Sequence, residues 1–147
     1  MNAAELRAQL DRLQPDASGA VRGEFQFHGR PFFASFDPAP PSIVEPNAAR
    51  AALLASILSR VPESIERCAD DLLEVYNSAW ADEDPDEGTP PMDREAFMGS
   101  LSLSSVLVVD DFSATIVFDA GDLFAGHFVT LSLDRALNVH GRASLWG

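Results

Sequence analysis

From Phe118 to His127 the chain reads FDAGDLFAGH. Two carboxylates, Asp119 and Asp122, stand within a few residues of an imidazole, His127, in a stretch marked by Gly121 and Gly126. Carboxylate and imidazole are the ligands that hold a divalent metal, and a catalytic site needs only three that converge. The same residues offer a second chemistry, an aspartate orienting a histidine as general base. A third reading needs no chemistry. The acids accept hydrogen bonds from the turn's own amides, the glycines supply the bend, and Phe124 anchors it on its apolar side.

The flanking segments decide which side chains meet. ATIVFD and HFVTLSLD both read as strands. Side chains alternate along a strand, so His127 shares its face with Val129, Leu131 and Leu133. Two registers are open. In one, Asp119 lies opposite His127 with Cβ atoms about 5 Å apart. In the other, a tight turn at Gly121-Asp122 sets His127 opposite Ile116. In both, the imidazole sits at the rim of the core and needs a polar partner, Asp119 or a backbone carbonyl.

Little else in the sequence supports catalysis. No serine occupies a Gly-x-Ser-x-Gly elbow, and there is no phosphate-cradling loop, dinucleotide fingerprint or Cys–His zinc pattern. Neither of the other histidines, His28 and His140, is placed to complete a ligand set. Cys68 falls on an apolar helical stripe and reads as core. No metal and no cofactor are expected, and the balance points away from an enzyme.

The elements that must position this stretch follow from periodicity. Ala3, Leu6, Leu10 and Leu13 mark one face of a helix over residues 2–13. Val21, Phe25 and Phe27, then Phe32, Ala34 and Phe36, alternate on either side of a Gly-containing turn and predict a hairpin. Phe25, Phe27, Phe32, Phe33 and Phe36 either fill the space between sheet and helices or line a ligand cleft. PAPPSIVEPN is a connector. Asn47 is placed to cap a buried helix, AARAALLASILSRV, and Pro62 opens a second, PESIERCADDLLEVYNSAW. Asp93 caps a short helix, REAFMGSL. SVLVVD, ATIVFD, HFVTLSLD and NVHGRASLW complete an antiparallel set of strands. The fold class is α+β: a single domain over residues 1–147, an antiparallel sheet with helices packed on one face.

Residues 81–91, ADEDPDEGTPP, form a loop dense in acid, proline and glycine. The pattern lacks the alternating ligands and terminal glutamate of an EF-hand, so dedicated calcium binding is not expected; the stretch reads first as a solvated, mobile loop, with Asp82, Glu83, Asp84, Asp86 and Glu87 as candidates for a basic protein partner. The whole chain shares this bias. Over 147 residues, 23 acids face 10 basic residues, for a formal charge of −13. All the basic residues are arginine. Such a charge repels a phosphate backbone and attracts a basic protein, so nucleic acid is not an expected partner. No apolar run approaches the roughly 20 residues of a membrane span. The lone cysteine and the absence of an apolar signal core make a cytoplasmic location the expectation.

FDAGDLFAGHFVTLSL resembles the closing motif of the bacterial domain-of-unknown-function 2262 family and its relatives. Asp119, Gly121, Asp122, Leu123, Phe124, Gly126 and His127 match that motif. Ala120 and Ala125 depart from it, standing where the family carries an acid and a tryptophan. DREAFMGSLSLSSVLV and DDLLEVYNSAW are also similar to family segments. The resemblance implies an uncharacterised bacterial protein, with gene settings like those of immunity proteins that antagonise toxins. It brings no established catalytic residue. Two readings of function follow: a non-catalytic protein-binding module, or a small hydrolase or metal-dependent enzyme built on Asp119, Asp122 and His127.

Overall fold

The computed structural model describes residues 1–84 and 86–147. Pro85, inside the acid-rich stretch 81–91, lies outside the described residues. In chain order the elements are α1 (Ala3–Asp11), β1 (Val21–Phe27), β2 (Arg30–Phe36), α2 (Pro46–Ser59), α3 (Val61–Val75), α4 (Arg94–Gly99), β3 (Ser102–Val108), β4 (Ala114–Asp119), β5 (Phe128–Leu133) and β6 (Ser144–Trp146). A π-helical turn, Tyr76–Trp80, continues α3.

The strands lie in sequence order, β1 to β6, in one sheet. Every junction is antiparallel except β2–β3, which pairs in parallel from Phe33↔Ser105 to Phe36↔Val108. One seam is parallel in this otherwise antiparallel sheet, and its cause is topological. The chain leaves β2, runs back through α2, α3 and α4, and re-enters beside β2 in the same direction, as a crossover must.

Strand alternation sorts the sheet into two faces. Phe25, Phe32, Phe36, Val106, Ile116 and Leu131 point to the helical side and join α-helical Leu6, Leu54, Cys68 and Phe97 in one hydrophobic cluster. Among the described residues, no helix covers the other face. Phe33 is 61% exposed there and Trp146 54%. Only its centre is dry, where Val117 pairs with Thr130 and the Thr130 hydroxyl meets Ser144 Oγ at 2.9 Å. The α+β class with helices on one face is therefore the architecture observed.

Helix starts show how local chemistry sets boundaries. Asn2 stands outside α1 as its cap and accepts the Glu5 amide at 2.9 Å. Asp93 caps α4 through the Ala96 amide at 2.8 Å, as expected. Asn47 is not a cap. Pro46 starts α2 one residue earlier, and the Asn47 amide group donates to Asp11 at 2.9 Å while its oxygen accepts from Arg50 at 3.1 Å. Pro62 opens α3 within its first turn, as the proline rule requires.

The last strand is much shorter than NVHGRASLW predicts. Only Ser144–Trp146 pairs with β5 along a ladder, with one isolated bridge at Leu133↔Val139. The reason is that α3 takes the intervening backbone. Arg67 donates to the Gly141 carbonyl at 2.9 Å, and Asp71 accepts the Ala143 amide at 2.9 Å. Asp71 also meets Arg67 at 3.0 Å and Arg142 at 3.8 Å, with its side chain only 11% exposed. Burial pushes the Asp71 carboxyl up, but the Ala143 and Arg67 hydrogen bonds and the two arginine charges outweigh it and hold the group below the ordinary 3.8.

Candidate functional site

The stretch between β4 and β5 is a broad bend, not a two-residue hairpin turn. Phe118 pairs with Val129 and Ile116 with Leu131, so His127 lies opposite neither Asp119 nor Ile116. Both expected registers are thus replaced by one in which residues 120–127 all belong to the connection. His127 precedes the first paired residue of β5.

Within the bend several polar groups have local partners. Asp119 accepts the Gly121 amide at 2.8 Å. Leu123 N–H reaches the Ala120 carbonyl at 3.2 Å, and His127 N–H reaches the Phe124 carbonyl at 3.0 Å. The His127 ring adds a second bond to that carbonyl from Nδ1, at 2.7 Å. A carbonyl only accepts, so Nδ1 carries a proton in this contact. Gly121, Ala125 and Gly126 take positive φ of 58°, 53° and 86°, which turns the chain back on itself.

Aromatic packing fixes the bend against the helices. Phe124 is fully buried and meets Tyr76 edge-on at 5.6 Å, Trp80 at 5.6 Å and Phe97 at 6.2 Å. Trp80 also meets the His127 ring edge-on at 5.8 Å. The π-helical turn makes this possible, because it presents both Tyr76 and Trp80 to the same bend. The tail of that turn is tied down in turn: Asn77 and Met92 exchange two hydrogen bonds at 2.9 Å, and the Tyr76 hydroxyl lies 2.6 Å from Thr89 Oγ1 and 2.8 Å from the Pro90 carbonyl. Sequence reasoning placed YNSAW in a helix but missed that Tyr76 and Trp80 clamp the bend. Their four-residue spacing at the end of an apolar stripe was the available signal.

Asp119 lies on the helix-free face, beside Arg30, Phe33 and Ser102, whereas His127 lies on the helical side under Trp80. Asp122 is exposed. Among the described residues, no group of three or more His, Cys, Asp or Glu side chains gathers as metal ligands would. Cys68 is fully buried, and burial, with the Asp71 charge, pushes its thiol up to about 12, which keeps it protonated and unreactive.

The second candidate, the acid-rich loop, is folded on its own backbone. Asp82 N–H donates to the Thr89 carbonyl at 2.7 Å and closes the loop. Asp82 and Asp84 each accept the amide two residues on, from Asp84 and Asp86, at 3.0 Å. Asp82, Glu83, Asp84, Asp86 and Glu87 are all exposed. Among the described residues none of the five lies in an ion pair.

These observations define an α+β protein whose most distinctive bend is a packed structural corner and whose surface is acidic. Residues 48–143 match the family described as an uncharacterized protein conserved in bacteria, DUF2262, and the chain belongs to it. That range covers α2 through the segment before β6 and leaves α1 and the β1–β2 hairpin outside. No curated protein and no solved structure proved similar to the chain. Among the described residues, no helix is long and apolar enough to cross a membrane.

Proposed function

We propose that the protein is a non-catalytic binding module of the bacterial cytoplasm whose partner is a basic protein, in the manner of an immunity protein that neutralises a toxin. The observation that carries this reading is the loop around Asp82–Glu87, where, among the described residues, five exposed carboxylates form no ion pair. They stand on a protein of net charge −13. An uncompensated acidic patch of this kind steers a basic partner into encounter and raises its association rate, the more so at low salt. Asp82 and Asp84 each accept a backbone amide of the loop, so the patch is presented in a defined shape.

The test begins with capture of the tagged chain from its native bacterium at low salt, with the companion protein identified by mass spectrometry. Association rates are then measured across ionic strength for the wild type and for a variant in which Asp82, Glu83, Asp84, Asp86 and Glu87 are neutral. The variant should associate more slowly and depend less on salt. An unchanged on-rate sinks the loop as the steering patch, and a capture no richer than the untagged control sinks the protein-binding reading.

A further inference from the structure

A groove of about 470 Å3 runs between the tip of the β1–β2 hairpin and the helices α3 and α4. Its floor is apolar: Phe27 from the hairpin, Val61 and Ile65 from α3, Met98 from α4. The helical spacing explains the lining. Pro62, Ile65 and Glu66 share one face of α3, and Glu95, Met98 and Gly99 share one face of α4. At the hairpin tip His28 takes a positive φ of 49°, and its ring folds over Phe27 at 4.1 Å.

The rim is anionic. Glu66 comes from α3 and Glu95 from α4, and both are exposed. Among the described residues neither carboxylate has a hydrogen bond or an ion pair. Arg94, which crosses from α4 to α3, does not neutralise them, because its guanidinium is held by Asp70 at 2.6 Å and by the Glu66 carbonyl at 3.2 Å. An apolar floor beneath two uncommitted carboxylates, on a strongly acidic protein, is complementary to one kind of surface: an apolar side chain flanked by cations.

From this juxtaposition we propose that the groove is the anchor site for the basic partner, receiving an amphipathic helical segment that lays a Leu, Ile or Met side chain against Phe27, Ile65 and Met98 and sets Lys or Arg on Glu66 and Glu95. The proposal rests on the protein-binding reading and adds what that reading lacks. The loop around Asp82–Glu87 attracts at a distance, whereas the groove supplies the desolvated contact that slows release. Helix-in-groove recognition uses this division between apolar anchors and flanking charge.

The test uses the full chain labelled with 13C at methionine and isoleucine methyls. The probe is an acetylated and amidated peptide with the repeating sequence Leu-Lys-Lys-Leu. Met98 and Ile65 methyl resonances should shift on titration at low salt. A peptide with serine for leucine at equal charge should leave them in place. The double variant Glu66→Gln/Glu95→Gln alters only exposed groups and should weaken the probe by about fivefold or more. Equal binding of the serine peptide, an unchanged affinity in the double variant, or shifts confined to methyls outside the groove would each overturn the proposal. So would Met98 and Ile65 shifts on raising protein concentration alone, since a second copy would then cover the groove. The two readings fail separately. A native partner slowed by loop neutralisation but indifferent to Glu66→Gln/Glu95→Gln removes the groove and leaves the binding function. A groove that takes the peptide while no native partner is captured keeps the site and counts against the function.

Discussion

The Phe124 carbonyl accepts two hydrogen bonds from a single residue, His127, one from the backbone amide at 3.0 Å and one from Nδ1 at 2.7 Å. The side-chain bond locks the bend beneath Trp80. Replacing His127 by alanine removes that bond and the edge contact with Trp80, but the carbonyl keeps its backbone partner. The loss should therefore be about 1–2 kcal/mol, not the larger cost of an orphaned buried group. For a chain of this size that lowers the melting midpoint by roughly 2–6 °C. Scanning calorimetry of wild type and His127→Ala, each with and without a chelator, checks it. An unaltered midpoint removes the structural role, and a chelator-sensitive wild type revives a metal.

Ala125 and Gly126 are consecutive residues at positive φ, yet only one of them is glycine. An added Cβ at Gly126 would meet nothing within 4 Å, so its effect is purely one of backbone conformation. Ala125→Gly should raise stability by ~0.5–1 kcal/mol and Gly126→Ala should lower it by a similar amount. Urea titrations of the two variants should bracket the wild type. The same sign for both would refute the account.

Asp71 predicts an acid limb of stability with a definite sign. Its carboxyl is held below the ordinary 3.8, so its contribution is fully present above that value and is lost as the pH falls through the lower, folded one. Asp71→Asn keeps an oxygen for the Ala143 amide, removes the charge and replaces the other oxygen with an NH2 donor. Melting midpoints of wild type and variant should differ near neutral pH and converge on acidification below 3.8. Curves that stay parallel throughout would show that the charge does not tie α3 to the C-terminal segment.

The Cys68 thiol, pushed up to about 12, should resist iodoacetamide in the native protein at pH 8 and react promptly once the chain is unfolded. Labelling followed by intact-mass measurement across a urea series reads this directly. Rapid labelling in native buffer would mean that α3 opens locally.

What the sequence revealed and what it concealed divide along a physical line. The amphipathic repeat of Ile65, Cys68 and Leu72 and the alternation through Ile116 and Phe118 are each written in neighbouring residues, so α3 and β4 were legible. Capping by Asp93 was legible for the same reason. The parallel partner of β2 was not, because nothing in RPFFASF encodes which distant strand will lie beside it. A backbone carbonyl was one of the two partners expected for His127, but which carbonyl was hidden by loop length: alternation constrains paired residues, and residues 120–127 are unpaired. Glu66 and Glu95 each look like ordinary solvated helix charges, and only the packing of two helices against a hairpin gathers them over one apolar floor.

The parallel β2–β3 ladder is also a seam in the order of assembly. β1–β2 on one side and β3–β6 on the other are built from neighbours in the chain, but the four residue pairs from Phe33↔Ser105 to Phe36↔Val108 close a loop that spans all of α2, α3 and α4. Closing so long a loop is slow relative to forming hairpins, and its ladder gains come last. The hairpin also shields the outer edge of β3, which would otherwise offer free amides and carbonyls to any passing strand. The interval before the seam closes is therefore when a nascent chain is most exposed to mispairing with its own copies. The −13 charge, carried by every copy, opposes their approach during that interval.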